Sequence, residues 1–344
     1  MAEKYNLINL KSVQHQAAQK GRIIMSKRMS LEDAIRQIPD GSTVAFGGWT
    51  VVRAPMAAVR ELVRQKKQDL AVVGSMSGPA TDLLLGAGCV KYAEMFYHGL
   101  EKFGSAYNSQ RLVGKPEGEK EVFVDDITVA DYVAKVMAGA MGIPFIPSYT
   151  HKGSDFLNMD YDMLKDVRGK DPRFPKKKYE IMKDPFWGME DVVLIPSTMP
   201  DYVFIHAQEV SESGIVRING TLGADYYLAA AGKTTIVTAE KIVSDEEIAK
   251  EPSKNTIPGV FVDIVCEVPY GAFETQLMDY YDYDVNYYKE YVKYSKEDNF
   301  DAWLQEWIYG TKDQADFIKK LGKERLEAMS VDPETGYRTG MKMK

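Results

Sequence analysis

Three short glycine-bearing stretches hold the residue types that could do chemistry. They are Gly47-Gly48-Trp49-Thr50, Ser75-Met76-Ser77-Gly78 and Tyr97-His98-Gly99. Each follows a strand-like run: Thr43 to Phe46, Leu70 to Gly74, and Val90 to Tyr97. In an open parallel sheet the carboxyl ends of the strands form the ligand crevice. Glycine there lets a ligand approach main chain, and free amide N–H groups can stabilise a developing oxyanion. The alternative is that these glycines only end strands. Arg53 follows the first stretch and offers a planar fork suited to a substrate carboxylate. It could equally neutralise a neighbour or face solvent.

Neither common nucleotide motif is present. There is no G-x-G-x-x-G, and no Gly-Lys-Ser/Thr follows a glycine loop. Ser211-Glu212-Ser213-Gly214 offers a carboxylate beside glycine, but it sits between two strand-like runs and reads as a hairpin turn. His206 with Gln208, and Arg217 with Asn219, share strand sides at spacing two. They form either a polar patch near a site or a satisfied buried network. The four histidines, His15, His98, His151 and His206, have no metal-ligand spacing, so no metal site is expected. Cys89 and Cys266 lie in apolar contexts and read as reduced, buried and inert.

The elements that position these residues alternate. Met56, Ala58, Val59, Leu62 and Val63 recur at helical spacing after Pro55. Helical patterns also cover Ala80 to Leu85 and Asp126 to Met141, and Ile143 to Ile146 is extended. A charged loop, Gly153 to Lys183, interrupts the pattern. Strands are expected again at Asp191–Ile195, Tyr202–His206, Ile215–Ile218, Thr234–Thr238 and Val260–Val265. The expected fold is α/β, an open, largely parallel sheet with helices on both faces, plus C-terminal helices. Residues 1–24 read as a polar extension, 25–325 as a single domain and 326–344 as a polar tail. Asp279 to Tyr294 is dense in tyrosine, and Trp303 and Trp307 share a helix face. Both are candidate contacts between chains.

The chain has 344 residues and a net charge of −7, which disfavours nucleic acid as a partner. No apolar run is long enough to span a membrane, and no signal-peptide core precedes Met25. A cytoplasmic protein is the expectation.

Longer motifs carry a family resemblance. They are G-G-W-T-V-V-R-A-P-M-A-A-V (47–59), I-P-F-I-P (143–147) and I-H-A-Q-E-V-S-E-S-G-I-V-R-I-N-G (205–220). V-T-A-E-K-I-V-S-D-E-E-I (237–248), K-N-T-I-P-G-V-F-V-D-I-V-C-E-V-P-Y-G-A-F (254–273) and Y-D-Y-D (281–284) follow. In order and spacing they resemble the alpha-type subunits of class I CoA-transferases of the glutaconate CoA-transferase kind, over residues 25 to 325. The resemblance implies ping-pong transfer of CoA between an acyl-CoA and a free carboxylic acid. A glutamate of a beta subunit is the nucleophile, and CoA is a substrate, not a tightly bound cofactor. It implies a hetero-oligomer of even count and no catalytic nucleophile on this chain. Gly47, Gly48, Trp49, Thr50, Arg53, Ser75, Met76, Ser77, Gly78, Tyr97 and His98 would line the acyl pocket. A related hydrolytic branch carries a glutamate early in the helix before I-P-F-I-P. Val129 stands there, with Asp125, Asp126 and Asp131 nearby, which favours transfer. The alternatives are a hydrolase or decarboxylase subunit of the same family, and a non-catalytic sugar-phosphate-sensor-like domain.

Overall fold

A computed structural model describes residues 27–113, 122–188, 191–332 and 334–338; the 1–24 extension lies outside them. Strand β1, Thr43–Phe46, is buried along its whole length. Val44 and Phe46 enter one apolar layer and Ala45 the other, as strand alternation requires. A strand covered on both faces draws on apolar residues, with Thr43 at its start satisfied by Asp201, which is why it reads as a nearly continuous run.

β1 pairs in parallel with β2 (Leu70–Ser75), which continues to β3 (Val90–Met95) and β4 (Phe123–Asp126). On its other side β1 pairs in parallel with β8 (Tyr202–Ser211). β8 continues to β10 (Thr234–Val243) and β12 (Ile264–Glu267), all parallel. Chain order thus runs outward in one direction from β1 and in the other from β8. The sheet's topological switch lies between them, where the crevice of such sheets forms.

β8 outruns β1. β1 occupies its edge at Tyr202 to Phe204, and a short antiparallel strand, β9 (Val216–Arg217), takes the same edge at Glu209 and Val210. β11 (Asn255–Ile257) adds antiparallel to β9. The gap between the end of β1 and β9 is filled by loops.

The helices Met56–Arg64 and Gly78–Gly86 cover one face together with the C-terminal helices. The helices Val129–Met141 and Asp225–Ala231 cover the other. The 129–141 helix starts on a capping box, Thr128 with Asp131, and ends on left-handed Gly142. It begins later than expected because Phe123–Asp126 is the strand β4.

Two expectations need correcting. β5 (Phe145–Ser148), β7 (Asp191–Pro196) and β6 (Glu180–Lys183) form a separate antiparallel sheet, so the 143–146 and 191–195 segments do not join the parallel one. The tyrosine-dense helix Val285–Lys296 faces inward. Tyr287, Tyr288 and Tyr291 are fully buried, and the Tyr287 ring meets Phe273, Trp303, Trp307 and Phe317 edge-on. Trp303 and Trp307 are buried in the same cluster. These aromatics pack the chain against itself and do not form a surface between chains.

Both cysteines are buried, and burial pushes each thiol up to about 12. Among the described residues no helix is long and apolar enough to cross a membrane, and no group of three or more His, Cys, Asp or Glu could hold a metal ion.

Candidate active site

The first loop is a tight hairpin at the switch point. Trp49 N–H donates to Val52 O at 2.8 Å and Val52 N–H returns to Trp49 O at 2.7 Å. Gly48, Thr50 and Arg53 all have left-handed backbone, with φ of 84°, 47° and 55°. A strap formed by residues 270–276 supports the hairpin. Arg53 N–H donates to Gln276 O, Gln276 N–H to Val51 O, and Ala57 N–H to Gly271 O.

The loop's amides are already used. Gly47 N–H donates to Phe204 O, Gly48 N–H to Asp225 Oδ1 at 3.0 Å, and Thr50 N–H to Met76 O at 2.7 Å. With the Trp49 bond, all four amides of this loop are committed within the chain. The loop is a built wall, and an oxyanion-donor role for its amides is corrected.

Arg53 is also committed. Its guanidinium is buried and forks onto Asp225, with Nη2 to Oδ2 at 2.6 Å and Nη1 to Oδ1 at 3.1 Å. Its remaining bonds go to His206 O and Thr221 O. Of the two readings of Arg53, the contacts fit the one in which it neutralises a neighbour. Asp225 had no signal in the sequence, since an acid in a first helical turn is ordinarily a solvated partner of the helix dipole. Burial raises its pKa, but Arg53 and the N–H groups of Gly48 and Gly223 outweigh that and hold it below the usual range.

The second and third loops lie against the first. Ser77 caps the 78–86 helix, accepting from Ala80 N–H, and its hydroxyl donates to Thr50 O at 3.2 Å. Ser75 Oγ accepts from Ser77 N–H. Ser75, Met76, Ser77 and Gly78 are all buried. A Cβ on Gly78 would stand 2.0 Å from Gly99 O, so glycine is what allows the third loop to close on this helix. Tyr97 and His98 are half-buried. His98 Nε2 lies 3.0 Å from Asp126 Oδ1, and this contact holds the Asp126 carboxyl below its usual range.

Glu212 is exposed at the turn joining β8 and β9, where Gly214 N–H donates to Ser211 O and Gly214 has a φ of 92°. The His206, Gln208, Arg217, Asn219 set splits. Gln208 bonds Asn219 and Met278 main chain, and Arg217 pairs with Glu209. His206 is enclosed between Thr238 and Glu240. Glu240 also accepts from Tyr281 OH and from the amides of Tyr270 and Gly271, which fastens the strap under the hairpin.

Large apolar side chains are exposed beside this wall, together with the polar Asn219, Thr221 and Asp279. Trp49, Leu222, Tyr226, Met278 and Tyr280 are exposed. Their segments touch: the Cβ position of Gly223 lies 2.9 Å from Gly48 O and 3.2 Å from Met76 Sδ, and that of Gly220 lies 3.0 Å from Met278 Sδ.

A sequence model of the coenzyme A transferase family matches residues 28–268. The alpha-type chain of glutaconate CoA-transferase from Acidaminococcus fermentans is 38% identical over 92% of this chain and 98% of its own length. The corresponding chain of 3-oxoadipate CoA-transferase from Pseudomonas knackmussii is 32% identical over 87% of this chain and 99% of its own. The crystal structure of the Acidaminococcus fermentans glutaconate enzyme superposes with a TM-score of 0.84 at 37% identity, covering 91% of this chain and 98% of that one. Other relatives are one component of a cholesterol ring-cleaving hydrolase and the AibA/AibB decarboxylase. The order of strands about the switch point, the glycine loops beyond it and these matches lead to one statement: the chain belongs to the coenzyme A transferase family.

Proposed function

We propose that this chain is the alpha-type half of a two-component CoA-transferase that moves CoA from an acyl-CoA to a free carboxylic acid. The observation that carries the reading is the state of the carboxylates at the crevice. Asp225 is bound to Arg53, Glu240 to His206 and Tyr281, and Asp126 to His98, while Glu212 stands at a hairpin turn. Asp225, Glu240 and Asp126 are thus bonded to neighbours, and Glu212 is solvated at its turn. A nucleophile on a partner chain is what the resemblance implies, and relatives that are each named as one subunit of a larger enzyme support it.

The chemistry is covalent catalysis by a carboxylate. The partner's glutamate oxygen attacks the thioester carbonyl, the C–S bond breaks and CoA leaves as thiolate. The thiolate then attacks the glutamyl carbonyl of the mixed anhydride, releasing the acyl group as its carboxylate and leaving a glutamyl-CoA thioester. A second carboxylate reverses the two steps. This chain supplies the wall that positions the acyl group, with Trp49 and Thr50 at its rim, and the exposed apolar side chains that the partner closes over. Transfer is favoured over hydrolysis because Val129 opens its helix without an acid, and Asp125 and Asp131 are spent on buried contacts with Arg168, Lys178, His151 and Tyr179.

The test is co-expression with the neighbouring reading frame. The pair should exchange CoA between thioester and acid, and the chain alone should not. With acyl-CoA present, borohydride should inactivate the pair and modify the partner chain. Turnover by this chain alone, or hydrolysis without transfer by the pair, overturns the reading.

A further inference from the structure

One carboxylate, that of Asp225, holds together the segments that make the crevice wall. It opens the 225–231 helix, and its side chain is 0% exposed. Oδ1 accepts from Gly48 N–H and Arg53 Nη1, and Oδ2 from Arg53 Nη2 and Gly223 N–H. It thus joins both ends of the 48–53 hairpin to the 221–223 segment. Through Arg53 it also reaches main chain of β8, since Nη1 donates to His206 O at 2.9 Å.

The first glycine of the loop follows from this carboxylate. A Cβ at Gly47 would lie 2.2 Å from Asp225 Oδ1. The hairpin also holds two non-glycine residues, Thr50 and Arg53, in left-handed backbone. Such backbone persists in a non-glycine residue only where its surroundings over-determine it. Trp49, the exposed tryptophan at the rim, stands between Gly48, whose N–H is bound to Asp225, and Thr50.

We infer that Asp225, acting through Gly48 and Arg53, is the positioning residue that sets where Trp49 and Thr50 meet the acyl group. The inference rests on the transferase reading for its kinetic consequence and on the geometry alone for its structural one. Asp225 touches no substrate; it holds the groups that do. Misplacing a positioning wall by about 1 Å costs up to ~100-fold in rate without requiring loss of binding.

The experiment uses the two-chain complex with Asp225→Asn, which keeps the side chain's size but removes its charge and one acceptor. Kinetics are read well below the unfolding temperature, with hydrogen exchange of peptides covering 47–53 alongside. The expected result is a kcat lower by at least ~10-fold with KM for acyl-CoA within about threefold, the signature of lost transition-state positioning. Exchange should rise in 47–53 while β8 and β10 stay protected. Parent kcat together with unchanged exchange in 47–53 overturns the inference, as does a loss of protection spread evenly over the sheet. Should Asp225→Asn not fold, Arg53→Lys decides: it keeps the charge and loses the fork, so a smaller change of the same pattern is expected, and parent values overturn the inference. If the parent complex moves no CoA, the functional reading fails, yet the exchange comparison still decides the role of Asp225.

Discussion

Arg60 Nη1 stands 3.7 Å from Glu274 Oε2 with both side chains fully enclosed, too far for the hydrogen bond that would satisfy the carboxylate. Arg60 spends its closer contacts on Phe273 O and Gln314 Oε1. Burial therefore dominates, with Arg60 opposing it, and the Glu274 carboxyl is pushed up from 4.5 to about 7. A group whose folded pKa is raised binds a proton in the folded state first. Between about pH 4.5 and 7 the protein therefore loses stability as pH rises, by on the order of 3 kcal/mol over the window. Glu274→Gln should remove this loss. Thermal unfolding at pH 5 and pH 8 should show the variant gaining on the parent at the higher pH. Identical pH dependence of the two proteins would place the charge elsewhere.

Arg53→Met tests whether the guanidinium reads substrate. Buried against Asp225, it should not. Assayed with a dicarboxylic and a monocarboxylic acyl-CoA of equal length, the variant should lose activity equally on both. It should also unfold earlier, since removing one partner of a buried pair costs about 3–5 kcal/mol. A KM increase confined to the dicarboxylic substrate would return Arg53 to the pocket.

Gly48→Val acts first on folding. A Cβ there would stand 2.6 Å from Arg53 O, and the φ of 84° is already strained for any L side chain. The unfolding temperature should fall by about 1–3 °C, the scale that a loss of ~1–2 kcal/mol sets in a chain of this length. Unchanged melting with a collapsed kcat would show that the glycine serves substrate approach alone.

Glu212→Gln should leave the rate of the assembled enzyme within about threefold of the parent, whereas removing a nucleophile costs several orders of magnitude. The carboxylate is solvated at a turn whose geometry depends on Ser211 and Gly214. Loss of the borohydride-trappable thioester in this variant would contradict the turn reading.

Tyr287→Ser should destabilise the chain itself. The ring is fully enclosed among Phe273, Trp303, Trp307 and Phe317, and truncating a buried aromatic costs about 3–5 kcal/mol. Denaturant titration should show an earlier midpoint. A parent midpoint combined with weaker association of the two chains would instead place this aromatic face between them.

Much of the frame was legible from the sequence. β1 and β2 announce themselves because strands buried on both faces draw on small and apolar residues, β3 more weakly because Lys91 and Glu94 interrupt it, and Ser211 to Gly214 because hairpin turns draw on few residue types. Such signals are local, set by neighbours within a few positions. What the tertiary structure decided is which polar group meets which. Arg53 and Asp225 lie 172 positions apart, and nothing near Arg53 distinguishes a guanidinium awaiting substrate from one already held. The amides of residues 47–50 likewise look free until Phe204, Asp225, Val52 and Met76 are brought to them. Tyrosine fits an interface or a core equally well, and only the packing of the 285–296 helix on the C-terminal aromatics settled which. Composition and periodicity specify where a chain is buried; the partner of each buried polar atom depends on non-local chain reversals that no short window contains.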